Sequence, residues 1–380
     1  MPLYIIIPTT YILLSCKKRI MNNIFSKKYL LFFIPVFALM SACKPKLQQL
    51  TNEEAISFAK QMQTSIKKGD GAFLDNAFDK DAFIGKMNLP NKDAGKGFGK
   101  GIMDKLNLGT QISNSLSDQD QFEFIKHYVK EGKHHIIFRL YGAKESTLNY
   151  HDYELLKVNN ECRIADVYIY MSGETLAETM RNMYTELFEK SKEMDKNTVA
   201  GMGDLRDIKK LMQRGKNAEA KRMFDALPAY LKESKAVLLF NVLICSSLSN
   251  EEYSEAINMF SEKFPNEPNM NLLMIDGYFL QKDYVKMLAA VNALDSQINK
   301  DPLMDFYRYL SYNLLEDEAN GRICLNRLLK NMPDFQKGYM ELIAVELDAK
   351  NKKVSDSLIV VYRKKPKFDQ EALTSMLEYY

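Results

Sequence analysis

Tryptophan is absent from this chain of 380 residues, and histidine occurs only four times. Cysteine occurs five times (Cys16, Cys43, Cys162, Cys245 and Cys324), never in a CxxC pair, so the usual signature of a zinc or redox site is missing. No GxSxG, no HExxH and no phosphate-binding glycine loop is present, so no catalytic residue and no cofactor is implied. A basic stripe is lacking too. The formal charge is +3, but Lys17, Lys18, Arg19, Lys27 and Lys28 stand in the first 42 residues with no acid among them, which leaves −2 from Cys43 onward. Lysine and glutamate alternate in that remainder. A phosphate-backbone binder clusters its cations, so nucleic acid is not an expected partner. The apolar run Tyr29–Met40 holds twelve residues and contains Pro35, short of the roughly 20 that a membrane-spanning helix needs.

What is present is an ordinary globular composition, 46% hydrophobic and 27% charged, at a length that favours two domains. The start is not ordinary. From Met21 the chain reads MNNIFSKKYLLFFIPVFALMSACKPK: a basic pair, the apolar run, the small residues Ser41 and Ala42, and then Cys43. That order is the grammar of an exported leader. It resembles the lipobox of bacterial lipoproteins, in which apolar, small and cysteine residues are processed together. The resemblance implies cleavage between Ala42 and Cys43, a diacylglyceryl thioether on Cys43, and usually an acylated amino terminus. One acyl chain anchors only marginally, whereas two or three hold a protein on the membrane. It also implies a place in the cell envelope, on a bacterial membrane, the outer one in preference to the inner. Residues 1–20 fit no part of a leader and read as an upstream extension, with 21–42 as the signal peptide and 43–50 as a tether.

Residues 51–172 read as an α+β domain. Thr51 with Glu54 three residues later is a helix-opening pair, and Ala55, Phe58, Ala59, Met62 and Ile66 then fall on one helical face, with Gly69 near the end. Helical or turn segments are expected to about residue 117, broken by NLPNKDAGKGFGKG. From Gln121 the period changes to two. QFEFIKHYVK, KHHIIFRLYGA, TLNYHDYELLKV and CRIADVYIYM read as four strands divided by EG, AKES and NN turns, which predicts an antiparallel meander. Helices followed by such a sheet loosely resemble the nuclear-transport-factor-like and cystatin-like folds. The resemblance implies a pocket between helix and sheet, which Tyr128, Phe138, Tyr141, Tyr150, Tyr153, Tyr168 and Tyr170 would line if they did not fill the core instead. All four histidines lie in the expected sheet. His127 and His134 should sit diagonally on one face, with His135 on the other, where His151 would approach it. Alternation splits the set, so a metal site is not expected. Gly173-Glu174-Thr175 should open a linker helix over 173–200 with Leu176, Met180, Met183, Tyr184 and Leu187 on one face, ending in a polar, glycine-containing stretch.

Residues 201–380 carry a repeat. A small or apolar residue recurs at Ala220, Ala256, Met287, Cys324 and Ser357, in steps of 36, 31, 37 and 33, and a bulky one follows four later at Phe224, Phe260, Val291, Leu328 and Val361. Pro268, Pro333 and Pro366 close three of the blocks, and Pro302 follows another. This resembles the tetratricopeptide repeat, most clearly through Tyr253, Ala256, Phe260 and Pro268. The resemblance implies an all-α solenoid of stacked helix pairs, capped by DQEALTSMLEYY, whose concave face binds a peptide or protein. The expected chain is therefore a lipid-anchored envelope scaffold that is not an enzyme, with an envelope protein or peptide as its partner. The alternative is that the α+β domain binds or processes a small ligand while the repeats only localise it.

Overall fold

The computed structural model describes residues 47–89, 92–117, 120–142, 147–185, 196–229, 231–267, 269–366 and 368–380. The leader, Cys43 and its cleavage point lie outside these residues, as do Leu187, Pro268 and the AKES turn. The chain divides into two compact units, described residues 47–267 and 269–380.

In the first unit a two-residue strand β1 (Leu47–Gln48) precedes α1 (Asn52–Lys67), α2 (Ala72–Ala77), α3 (Lys80–Met87), α4 (Lys92–Met103) and α5 (Leu108–Ser115). The long strands β2 (Gln121–Lys130), β3 (Lys133–Gly142), β4 (Thr147–Val158) and β5 (Glu161–Ile169) follow, then β6 (Glu174–Thr175) and α6 (Leu176–Tyr184). The four long strands form the antiparallel meander that their alternation predicts. The sheet nevertheless has six strands rather than four, because β6 pairs with β5 and β1 with the end of β4. Two-residue strands carry no periodicity to read. The EG and NN turns hold Glu131, Gly132, Asn159 and Asn160 at positive φ, the geometry that two-residue hairpins require.

The start of α1 is built as its sequence dictates. Thr51 Oγ1 accepts from the Glu54 amide at 3.2 Å, and Glu54 Oε2 accepts from the Thr51 amide at 3.0 Å. Ala55, Phe58, Ala59, Met62 and Ile66 are all buried. α1 lies across one sheet face, where Gln63 Oε1 accepts from the Phe124 amide at 2.5 Å. The expected break over NLPNKDAGKGFGKG is instead largely α4, since helix covers Lys92–Met103. Burial of Phe98, Ile102 and Met103 overrides the poor propensity of its glycines. Gly99 also has a use there, because a Cβ would lie 3.0 Å from Ile84 Cγ1. At α6, Thr175 and Glu178 form a second capping box, and Leu176, Met180 and Tyr184 are buried.

The first unit continues through α7 (Lys196–Gln213), α8 (Asn217–Asp225), a short 3₁₀ turn (Leu231–Glu233), α9 (Lys235–Cys245) and α10 (Asn250–Lys263). Ile208, Ala220, Phe224, Leu227, Leu231, Val237 and Ile244 make one apolar cluster among them. Among its described residues the regular structure of the second unit is helix: α11 (Met270–Leu280), α12 (Tyr284–Gln297), α13 (Met304–Leu314), α14 (Glu318–Asn331), α15 (Gln336–Asp348), α16 (Lys352–Tyr362) and α17 (Gln370–Tyr379). From α11 to α16 each helix packs on the next along the chain. Among the described residues, no helix is long and apolar enough to cross a membrane.

Candidate functional site

The repeat positions are the first candidate. Ala220, Ala256, Met287 and Cys324 are buried, and so are Phe224, Phe260, Val291 and Leu328 four residues on. Tyr253 is buried as well. The fifth block departs from the expected register. Ser357 is exposed and Val361 is 43% exposed, whereas Ser355, Ile359 and Tyr362 are buried. The block therefore begins two residues earlier, 31 after Cys324. The sequence reads both ways because Val354, Leu358 and Val361 form a second apolar face on the same helix. The expected capping helix is α17, with Asp369 as its cap and Leu373 buried.

A buried charge network crosses the second unit, and no motif announced it. Arg308 on α13 donates through Nη2 to Asp295 Oδ2 at 2.5 Å and through Nη1 to Asp305 Oδ1 at 2.8 Å, while its Nε donates to Asn292 Oδ1 at 2.7 Å. Arg327 on α14 takes both oxygens of Asp305. Asp295 also accepts from the Asp301 amide at 2.8 Å, tying down the turn between α12 and α13. Buried carboxylates need such partners, and the planar guanidinium supplies two donors in one plane.

The sheet offers a second candidate. His127 and His134 do sit diagonally on one face, Nε2 to Nδ1 at 2.9 Å, with their rings stacked. A register shift between Phe124 and Lys126 puts His127 on the same face as Phe122 and Phe124, against α1. Burial first and the neighbouring His134 second hold the His127 pKa below its usual value. His135 faces the other side, but His151 does not approach it there. His151 pairs with Ile169 and Phe138 on the helix-covered face, fully buried, with Tyr153 Oη 3.1 Å from Nδ1 and Asn149 Nδ2 3.4 Å from Nε2. Strand alternation accounts for this: His135 pairs with Glu154, so positions 152 and 154 share its face and position 151 lies on the opposite one. Burial lowers its pKa to about 3, so the ring is neutral.

The partner of His135 is Asp152. Its Nδ1 lies 3.1 Å from Asp152 Oδ1, and the Tyr128 hydroxyl donates to Oδ2 while the Tyr128 ring stacks on the imidazole. Burial, then the Asp152 charge, pushes the Tyr128 pKa up. Tyr168 stands opposite Asp152 in the register, with Tyr170 edge-on to it. An Asp–His pair of this kind orients an imidazole as a general base would be oriented. Nearby, Lys86 and Lys133 pair with Glu154 at 2.7 and 3.3 Å. Asp166 accepts from the Val167 amide at 2.8 Å and from the Ala177 amide at 3.1 Å. Burial raises its pKa to about 6.

Of the aromatic residues expected either to line a pocket or to fill the core, Phe138, Tyr141, Tyr150 and Tyr153 are at most 1% exposed and are core. Tyr170 is also buried, whereas Tyr128 and Tyr168 are half-buried. A groove of about 590 Å³ lies elsewhere, between α1, α2 and the β4–β5 turn. Of the three described thiols, Cys245 and Cys324 are buried and Cys162 lines this groove. Among the described residues, no three His, Cys, Asp or Glu side chains converge so as to hold a metal ion.

No protein-family profile matches the chain, and no curated protein matches it. Among solved structures it is similar to MamA 41-end from Desulfovibrio magneticus RS-1, at 14% identity over 49% of this chain and 96% of that chain, with a TM-score of 0.37. At that identity and score the similarity decides nothing about fold or function.

Proposed function

We propose that this chain is a lipid-anchored protein of the bacterial cell envelope whose tetratricopeptide-like helix pairs form a scaffold for a protein or peptide partner. The observation that carries the reading is the recurrence of one buried pair, a small or flexible residue and a bulky one four later. It appears as Ala220/Phe224, Ala256/Phe260, Met287/Val291, Cys324/Leu328 and Ser355/Ile359. A small residue lets two helices approach, a bulky one fills the gap beyond it, and repetition of the two builds a solenoid with an extended binding face. The middle of the layer between α1 and the sheet is filled, with Phe122, Phe138, Tyr153 and neutral His151 all buried, which favours this reading over a ligand cavity at that point.

The anchor belongs to the same reading and rests on the leader. Cys43→Ser should leave an unprocessed precursor that takes no palmitate label, and a mutant cut and labelled like the parent would defeat it. For the scaffold, a photo-crosslinking residue is placed in the native host at the first helices of the pairs, at Tyr278, Tyr312 or Glu341. Exposed positions on the second helices, Val285, Ile323 and Val360, serve as controls. One partner captured from the first set and not from the second is the expected result. Equal capture from both sets, or none from either, would refute binding through the repeat face.

A further inference from the structure

The groove between α1, α2 and the β4–β5 turn lies where the chain enters the domain. Its floor is apolar, formed by Leu50, Phe58, Phe73 and Ala77, and its 590 Å³ falls within the roughly 300–1,000 Å³ of small-molecule sites. The charged groups on its rim are already engaged. Lys157 Nζ lies 2.6 Å from Glu54 Oε1, Arg163 pairs with Glu161, and Arg163 Nη1 donates to the Asn76 carbonyl at 2.8 Å. Each cation is matched by an anion, so the rim offers no net positive charge to an anionic headgroup. Cys162 adds an uncharged wall, since burial pushes its thiol up to about 12. A groove so lined suits a narrow, uncharged, apolar occupant.

Chain geometry names that occupant. β1 runs beside the groove, with Gln48 opposite Lys157 and its Oε1 accepting from the Asn160 amide at 2.9 Å. Leu50 is itself part of the floor. Four peptide steps separate Leu47 from Cys43. Even fully extended they span about 14 Å. A lipid on Cys43 is therefore covalently confined to the neighbourhood of this groove. We propose that the groove takes one acyl chain of the lipid on Cys43, which lays this end of the α+β domain against the membrane. This proposal rests on the lipoprotein reading of Cys43.

The test uses the full chain, made in a lipoprotein-exporting bacterium fed a palmitate analogue that carries a mid-chain diazirine and a terminal alkyne. After irradiation, alkyne-tagged peptides are identified by mass spectrometry. The expected product joins the Cys43 peptide through its lipid to peptides containing Phe58, Phe73 or Cys162. Ser57 is an exposed residue of the lining. Ser57→Trp should lower that product at least fivefold while leaving total label on the protein unchanged. Label on Cys43 with cross-links elsewhere, or with groove cross-links indifferent to Ser57→Trp, would overturn the groove and leave the anchor standing. Groove peptides carrying the mass of a whole phospholipid would assign the groove to a bilayer lipid and overturn the proposal too. A parent protein with no label would refute the anchor itself, and the proposed occupant with it.

Discussion

Asp305 on α13 and Arg327 on α14 meet through both carboxylate oxygens, with Arg327 Nε donating to Oδ2 at 2.5 Å and Nη2 to Oδ1. The acid is 4% exposed, whereas the Arg327 side chain is 49% exposed. Asp305→Ala strands two guanidinium groups that faced one carboxylate, but Arg308 keeps Asp295 and Arg327 can turn to water. The expected cost is about 2 kcal/mol, below the roughly 3–5 of a fully buried pair broken on one side. Urea unfolding compared with Asp356→Ala, which removes the exposed pair to Lys352, provides the check. Equal effects from the two substitutions would mean that the network contributes no more than a surface pair.

The register of the last helix pair makes a second test. Ile359 is 9% exposed and Val361 is 43% exposed, although both are β-branched residues on α16. Ile359→Ala should cost about 2–4 kcal/mol through lost burial and an incompletely closed cavity. Val361→Ala should stay within about 0.5 kcal/mol, as surface changes usually do. The reverse ranking by chemical denaturation would restore the register that places Ser357 and Val361 inward.

The contrast between these two residues shows where the sequence could be read and where it could not. The meander was legible because β2 to β5 are long, alternate over most of their length despite the register shifts at Phe124/Lys126 and Glu154/Leu155, and are joined at EG and NN by residues that favour tight turns. The first four repeat blocks were legible because one apolar face dominates each helix. In α16 two apolar faces compete, and the packing of α15 and of Leu373 on α17 selects Ile359 and Tyr362. The face of His151 follows from strand parity only through the β3–β4 register, which the AKES segment does not specify. The partnership of His135, Asp152 and Tyr128 depends on three strands in register, and that of Asp295, Arg308, Asp305 and Arg327 on three helices. Neither leaves a short-range pattern. The α4 glycines show the opposite case, a strong local signal outvoted by the burial of Phe98, Ile102 and Met103.

Glycine supplies a third prediction in which the sign is informative. Replacing a helical glycine with alanine normally stabilises by up to about 1 kcal/mol. Gly101 on α4 has nothing within 4 Å of a built Cβ, so Gly101→Ala should stabilise. Gly109 on α5 should do the reverse, because its Cβ would lie 2.2 Å from the Gly71 carbonyl oxygen and 2.6 Å from Leu74 Cβ. That close approach also brings Asp75 to the start of α5, where its carboxylate accepts from the Gly109 amide at 2.6 Å and the Thr110 amide at 3.1 Å. Gly109→Ala must push the two helices apart and weaken both bonds, costing more than about 1 kcal/mol. Thermal melts of the two variants should therefore shift in opposite directions, and a shared direction would remove the tight α2–α5 contact.

His151 sets the last prediction, which concerns acid. Its ring is fully buried, and burial lowers its pKa from 6.5 to about 3. In the unfolded chain the imidazole takes up its proton near 6.5, but in the folded protein it does not until about 3. The unfolded state thus binds more protons throughout that window, so stability falls as pH drops from 6.5 toward 3. By pH 5 the loss attributable to this one ring is about 2 kcal/mol. His127, also lowered, acts in the same sense. Asp166 opposes them: its pKa is raised from 3.8 to about 6, so the folded form binds the extra proton between those values and gains stability as pH falls through them. Because these contributions overlap, the parent's own pH profile does not isolate the histidine. The difference between the parent and His151→Gln does, since glutamine carries no proton to exchange. His151→Gln should destabilise at pH 7.5, and that deficit should shrink by about 2 kcal/mol at pH 5. A deficit that stayed constant from pH 7.5 to 5 in urea unfolding would show that burial does not hold the ring neutral.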